Sequence, residues 1–309
     1  MSKIAFVFPG QGAQYIGMAK EISEEYKESM EIFRRASTAL GFSMEDMVFE
    51  GNEEVLKLTE NTQPAILTAS VACLQPLIKA GIKPDFVAGL SLGEYTAHVA
   101  AGSMSFEEAV VLVKKRGKYM QEAVPAGIGA MAAILGMANE AVEECCKEAL
   151  SVGFVEPANY NCPGQVVVAG EVAAVEKVTE LTKAKGAKRA LMLQVSAPFH
   201  CKLLEPAAVK LQEELKALEI KEMELPVVTN VTGNVISNKD EIKTLLRSQV
   251  MSSVRWEQCV RTMLGEGVDT FVEIGPGKVL SGFIKKIDNS VKILNVENLE
   301  SLKNTLAAL

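Results

Sequence analysis

The chain is 309 residues long, enough for one large domain or two smaller ones with a substantial core. Its 48% hydrophobic and 23% charged residues exclude a disordered chain. A formal charge of −7 argues against a nucleic-acid binder, and the absence of any apolar run near ~18 residues argues against a membrane span.

The start, Met1-Ser2-Lys3, leads into residues 4–8, a short strand of the buried type, and lacks the cleavage region of a signal peptide. Six cysteines (Cys73, Cys145, Cys146, Cys162, Cys201 and Cys259) form no C-x-x-C pair and have no histidine cluster beside them. They read as reduced thiols of a cytoplasmic protein, with neither a metal site nor a disulfide framework expected.

After the first strand comes a glycine-rich loop, Pro9-Gly10-Gln11-Gly12-Ala13-Gln14. It lacks the Lys-Ser/Thr ending of a phosphate-binding loop, but its glycines let the backbone around Gln11 approach another group closely. Residues 18–40 read as one amphipathic helix. Residues 64–80 read as an apolar helix with Pro64 in its first turn. Residues 86–89 form an apolar run that ends in Gly89-Leu90-Ser91-Leu92-Gly93, and a helix-compatible segment follows at once. A bare G-x-S-x-G match recurs by chance. Set between a strand and a helix, it describes a nucleophile elbow, with the Ser91 hydroxyl at a helix N-terminus and the Leu92 N–H free to meet an anion. Ser105 and Glu108 form a capping box for the next helix, which runs to about residue 123 and carries Arg116.

The texture changes at Val124-Pro125-Ala126-Gly127. Strands at 128–136, 154–160, 165–169 and 189–195, with helices at 139–150 and 173–185, follow the order β-α-β-β-α-β of a ferredoxin-like unit. A small inserted domain is therefore expected at 124–195, with the large domain made of 1–123 and 196–309. The large domain resumes with Ser196-Ala197-Pro198-Phe199-His200, a helix at 203–218, strands at 226–231 and 269–274, and a helix at 278–286. Alternating strands and helices predict an α/β fold with a mostly parallel sheet covered on both faces.

A serine needs a base to take its proton, and histidine is the usual one. His98 follows Ser91 by about two helical turns, ~10 Å, and reads as a packed helix residue. His200, on a loop after a strand, is the better partner. Basic residues cluster at Lys114-Lys115-Arg116 with Lys118, and again at Lys183, Lys185, Lys188 and Arg189. All but Arg116 read as solvated faces.

The segments Phe8–Gln14, Gly89–Tyr95, Lys115-Arg116-Gly117, Asn159–Gln165, Pro198-Phe199-His200, Val254-Arg255-Trp256 and Glu273–Leu280, in this order, resemble the malonyl-CoA:acyl carrier protein transacylases. That family has a hydrolase-like α/β domain with a ferredoxin-like insert. The resemblance implies transfer of malonyl from malonyl-CoA to the phosphopantetheine thiol of acyl carrier protein, in fatty-acid synthesis. It implies a ping-pong route through a malonyl-serine ester, with no cofactor beyond these substrates; nothing in the sequence demands more than a monomer. It further implies that Ser91 is the nucleophile and His200 the base and then the acid. The N–H groups of Gln11 and Leu92 would form the oxyanion hole, the main-chain carbonyl of Gln249 would orient His200, and Arg116 would pair with the malonyl carboxylate. Phe199 would limit room for an α-methyl group. Leu90 departs from the pattern, since many members have histidine before the nucleophile. The rival readings are a serine hydrolase or thioesterase and a non-catalytic carrier-binding module. The first needs an acidic third member, and residues 92–199 contain no Asp. The second leaves Ser91, His200 and Arg116 without a task.

Overall fold

The computed structural model describes every residue except Met1, Ala126, Ser196 and Ser237. Ser196, where the sequence expects the large domain to resume, therefore lies outside the described residues, as does Ala126 in the stretch where the texture changes. Ten strands are described: β1 Lys3–Phe8, β2 Phe86–Gly89, β3 Gly129–Leu135, β4 Val155–Cys162, β5 Gln165–Glu171, β6 Arg189–Met192, β7 Val227–Val228, β8 Val235–Ile236, β9 Val268–Ile274 and β10 Lys292–Val296.

The near-continuous apolar run of β1 suits a strand covered on both faces. It lies inside a six-stranded sheet of order β10-β9-β1-β2-β7-β8, parallel except where β8 turns back on β7. Alternate side chains supply the two faces. Phe6, Phe8, Val87 and Val272 pack in one core, with residues of the helices Thr59–Lys79 and Phe106–Glu122. Ala5, Val7, Ala88 and Phe271 pack in the other, with the helices Trp256–Gly265 and Val279–Ile287. The chain leaves β1 toward β2 on one side and returns to β9 on the other. The carboxyl ends of these strands therefore open on a topological switch point, where α/β sheets place their crevices.

The second sheet, of order β4-β5-β3-β6, is wholly antiparallel and ferredoxin-like. Ile134, Val166 and Val168 face the helices Asn139–Ala149 and Val172–Ala184, while Met131 and Val167 turn the other way, toward the first sheet's core. The outer edge of β4 is not left bare. Tyr160 N–H donates to Val254 O at 2.9 Å, and Val254 N–H to Ala158 O at 2.8 Å.

Several expected elements differ in detail. The helix expected over 18–40 is two, Lys20–Glu25 and Lys27–Leu40, separated by Tyr26 in extended conformation. A one-residue break redirects the axis yet hardly disturbs the apolar spacing. The helix expected from residue 64 begins at Thr59, so Pro64 lies inside it and removes one N–H that the buried 21-residue helix does without. The strand expected over 226–231 pairs only at Val227–Val228, because Thr229 and Asn230 turn off to bond elsewhere. The helix Ile242–Gln249, which carries Gln249, was not foreseen.

Candidate active site

Ser91 sits between β2 and the helix Leu92–Ala100 with φ 53° and ψ −103°, a backbone conformation that side-chain-bearing residues rarely adopt. Close packing enforces it. A Cβ on Gly89 would lie 1.9 Å from the Gly93 carbonyl carbon, and one on Gly93 would lie 2.1 Å from Phe8 O. Asn230, just past β7, braces the bend from behind: Oδ1 accepts the Ser91 N–H at 2.6 Å and Nδ2 donates to Gly89 O at 2.7 Å.

His200 also has positive φ, 61°, and its buried ring reaches the serine. Nε2 lies 2.7 Å from Ser91 Oγ, and Nδ1 lies 2.8 Å from Gln249 O. A carbonyl can only accept, so Nδ1 carries the proton and Nε2 presents its lone pair to the serine hydroxyl. Burial, and then the positive Arg116, push the His200 pKa down to about 3, which keeps the ring neutral in the free protein. No carboxylate is hydrogen-bonded to His200 among the described residues. The carbonyl fills the place an acidic third member would take.

Arg116 comes from the Ser105-capped helix and is 1% exposed. Nη1 donates to Gln63 Oε1 at 2.7 Å, while Nη2 donates to Ser91 Oγ at 3.1 Å and Gln249 Oε1 at 3.0 Å. Its guanidinium lies 5.2 Å from the Tyr95 ring centroid, within cation–π range. Gln249 is the hub of the site. Its backbone carbonyl serves His200, its Oε1 serves Arg116, and its Nε2 donates to Ser91 O at 2.9 Å and Glu94 Oε2 at 3.0 Å. Burial pushes the Glu94 carboxyl up to about 7, although it accepts N–H groups from both Asn230 and Gln249.

Ser91, His200, Arg116 and Gln63 line a cleft of about 500 Å³ that opens between the two sheets, with Met131 and Val167 contributed by the antiparallel one. Gln11, Leu92 and Phe199 line it too. The Gly10 backbone runs so close to the elbow that a Cβ there would lie 2.5 Å from Leu90 O, which brings the Gln11 loop against the serine turn. Neither the Gln11 nor the Leu92 N–H donates a hydrogen bond among the described residues. Leu90 packs with the second core and borders the cleft, where a histidine would have added a polar edge. His98 is fully buried and has Ser103 Oγ at 3.0 Å from Nδ1, which matches the packed role expected of it. Among the described residues no His/Cys/Asp/Glu group is arranged to hold a metal ion, and no helix is long and apolar enough to cross a membrane.

Sequence reasoning missed Gln63, Glu94 and Asn230. Glu94 lies within the elbow segment and could have been noticed as a charge at the start of an apolar helix. Gln63 and Asn230 carry no local signal, since only the tertiary fold brings their amides to Arg116 and Ser91.

The acyl transferase domain family matches residues 5–302. The malonyl CoA-acyl carrier protein transacylase of Bacillus subtilis (strain 168) is 49% identical over 310 residues, covering 100% of this chain and 98% of that protein. The crystal structure of the malonyl CoA-acyl carrier protein transacylase from Clostridium perfringens superposes with a TM-score of 0.97 at 50% identity, covering 99% of this chain and 97% of that one. A malonyl-transacylase solved in complex with a type II PKS acyl-carrier protein superposes with a TM-score of 0.97 at 43% identity and full coverage of both chains.

Proposed function

This chain belongs to the malonyl-CoA:acyl carrier protein transacylases of the acyl transferase family, and on that premise we propose how its residues carry the reaction. The protein is an acyltransferase that moves malonyl from malonyl-CoA to an acyl carrier protein. The observation that carries the residue assignment is the chain of contacts from Gln249 O through His200 to Ser91 Oγ, with Arg116 at the same oxygen.

In this reading His200 Nε2 takes the Ser91 hydroxyl proton as Oγ attacks the thioester carbonyl. The tetrahedral oxyanion is met by the N–H groups of Gln11 and Leu92. Losing one such donor typically costs ~3–4 kcal/mol of transition-state stabilisation. Collapse breaks the C–S bond, and the proton on Nε2 passes to the departing CoA thiolate. The malonyl ester on Ser91 is then attacked by the phosphopantetheine thiol, whose proton His200 takes and returns to Ser91 Oγ. Arg116 turns its Nη2–Nε edge from the serine to the malonyl carboxylate, a geometry guanidinium favours. Phe199 narrows the cleft beside the acyl group.

We also propose that residues 1–123 and 196–309 form the catalytic unit and 124–195 the insert. The support is that β3 to β6 form a sheet of their own among the described residues, tied to the larger unit by the short bridge between β4 and Val254. In this reading the reaction draws on the CoA thioester and the carrier's phosphopantetheine thiol. Six free, buried cysteines suit the reducing cytoplasm.

Initial rates measured against both substrates test the ester route. Double-reciprocal lines should run parallel, and Ser91→Ala should show no transfer. Intersecting lines, or a Ser91→Ala variant that still transfers malonyl, would remove the serine ester from the mechanism.

A further inference from the structure

Glu94 is fully buried in the first turn of the elbow helix, and the mechanism above gives it no step. A glutamate three residues past an N-cap ordinarily reaches back to the N-cap N–H. Here that N–H, of Ser91, is taken by Asn230 Oδ1 at 2.6 Å. The Glu94 carboxylate turns away instead. Its Oε2 accepts the main-chain N–H of Asn230 at 2.8 Å and Nε2–H of Gln249 at 3.0 Å, while Oε1 has no partner among the described residues. Burying a carboxylate away from water is costly, so its place beside the nucleophile asks for a reason.

The two groups that Oε2 holds lead to the two halves of the reacting pair. Asn230 braces the turn that carries Ser91. Gln249 ends the helix Ile242–Gln249, and its backbone carbonyl accepts from His200 Nδ1 at 2.8 Å. Carbonyls in the last turn of a helix have no partner within it, so the helix alone does not aim this one. The Gln249 side chain does so, through its bonds to Ser91 O, Arg116 and Glu94. Of these three anchors, Glu94 also holds the main chain of the residue that braces Ser91, and so ties the histidine's support to the serine's.

We propose that Glu94 is a positioning residue: its Oε2 clamps the Gln249 amide to Asn230 and thereby holds the Gln249 carbonyl on His200 Nδ1 while Nε2 faces Ser91 Oγ. An orienting carboxylate is thus present after all, one residue removed from the histidine. The inference rests on the malonyl-transfer reading above for its effect on rate.

The test compares the wild type with Glu94→Met, which removes the acceptor, and Glu94→Gln, which keeps an amide oxygen at the Oε2 position. The chain has two histidines, so isotope labelling of histidine ring nitrogens gives two imidazole spectra by NMR. His98, on the same helix as Glu94, is the internal control. In Glu94→Met the Nδ1–H form of His200 should lose its dominance while the His98 ring stays unmoved. With holo-acyl carrier protein as acceptor, kcat should fall by about 10–100-fold, and KM for malonyl-CoA should change far less. Glu94→Gln should restore most of the kcat and the His200 spectrum. An unchanged His200 spectrum in Glu94→Met, a His98 ring that shifts as much as His200, or no rescue by Glu94→Gln would overturn the proposal. If Glu94→Met does not fold, Gln249→Met decides, because it keeps the backbone carbonyl and loses the amide clamp. A retained His200 spectrum there would overturn the proposal, and its loss would support it. A wild type that forms no malonyl-serine adduct would instead defeat the transfer reading, while the spectra, which need no substrate, still judge the positioning.

Discussion

Arg116 sets the electrostatics of the site at the scale of single residues. Its charge faces both Ser91 Oγ and the neutral His200 ring, whose protonation it opposes. Once a malonyl carboxylate pairs with the guanidinium, that opposition weakens, and the base gains strength when the right acyl group is present. Arg116→Ala should therefore lose malonyl transfer by about 10–100-fold, as expected for a lost charged hydrogen bond, while acetyl transfer holds or rises. Competition between the two CoA esters reads this directly, and an unchanged preference would take Arg116 out of acyl recognition. Ser91 was legible in the sequence because an elbow needs glycines at fixed offsets, whereas Arg116 lies among Lys114, Lys115 and Lys118 and stood out only through the family resemblance of Lys115-Arg116-Gly117. His200 was legible by scarcity, as one of two histidines. The amides of Gln63 and Asn230 were not, since a neutral side chain leaves no pattern until the fold brings it to a partner.

At the scale of elements, the elbow is held by backbone crowding more than by side chains. Gly93 packs against Phe8 O at the end of β1, so Gly93→Ala must push the elbow helix away from that strand. The expected cost is about 2–3 kcal/mol or more, in line with overpacked cores, read from the denaturant midpoint of unfolding. A midpoint that does not move would show that the turn has slack. The capping box at Ser105 and Glu108 was readable because both partners lie within four residues. The ferredoxin-like order was readable for a similar reason, through hairpins and amphipathic helices of local origin. The break at Tyr26 and the early end of β7 were not, because each depends on what packs there from distant sequence.

At the scale of the whole molecule, the cleft exists because the two sheets meet over the carboxyl ends of β1 and β2, stitched by the bonds between β4 and Val254. Stability of this body should carry a pH signature from its buried histidines. Unfolded His98 binds a proton near its ordinary 6.5, whereas burial holds it at about 4 in the fold. Between those values the unfolded chain binds more protons, so this residue costs stability as the pH falls. Relative to His98→Asn, the wild type should lose roughly 3 kcal/mol on going from neutral pH to about pH 4, measured by denaturant unfolding at each pH. A constant difference across that range would mean that His98 titrates normally. The central claim, that Ser91 carries malonyl between two thiols, is tested most directly by intact mass after brief exposure to malonyl-CoA, followed by addition of holo-acyl carrier protein. A malonyl adduct on Ser91 that disappears onto the carrier is the predicted result. An adduct lost to water at the same rate without carrier, or no adduct while transfer proceeds, would contradict the account.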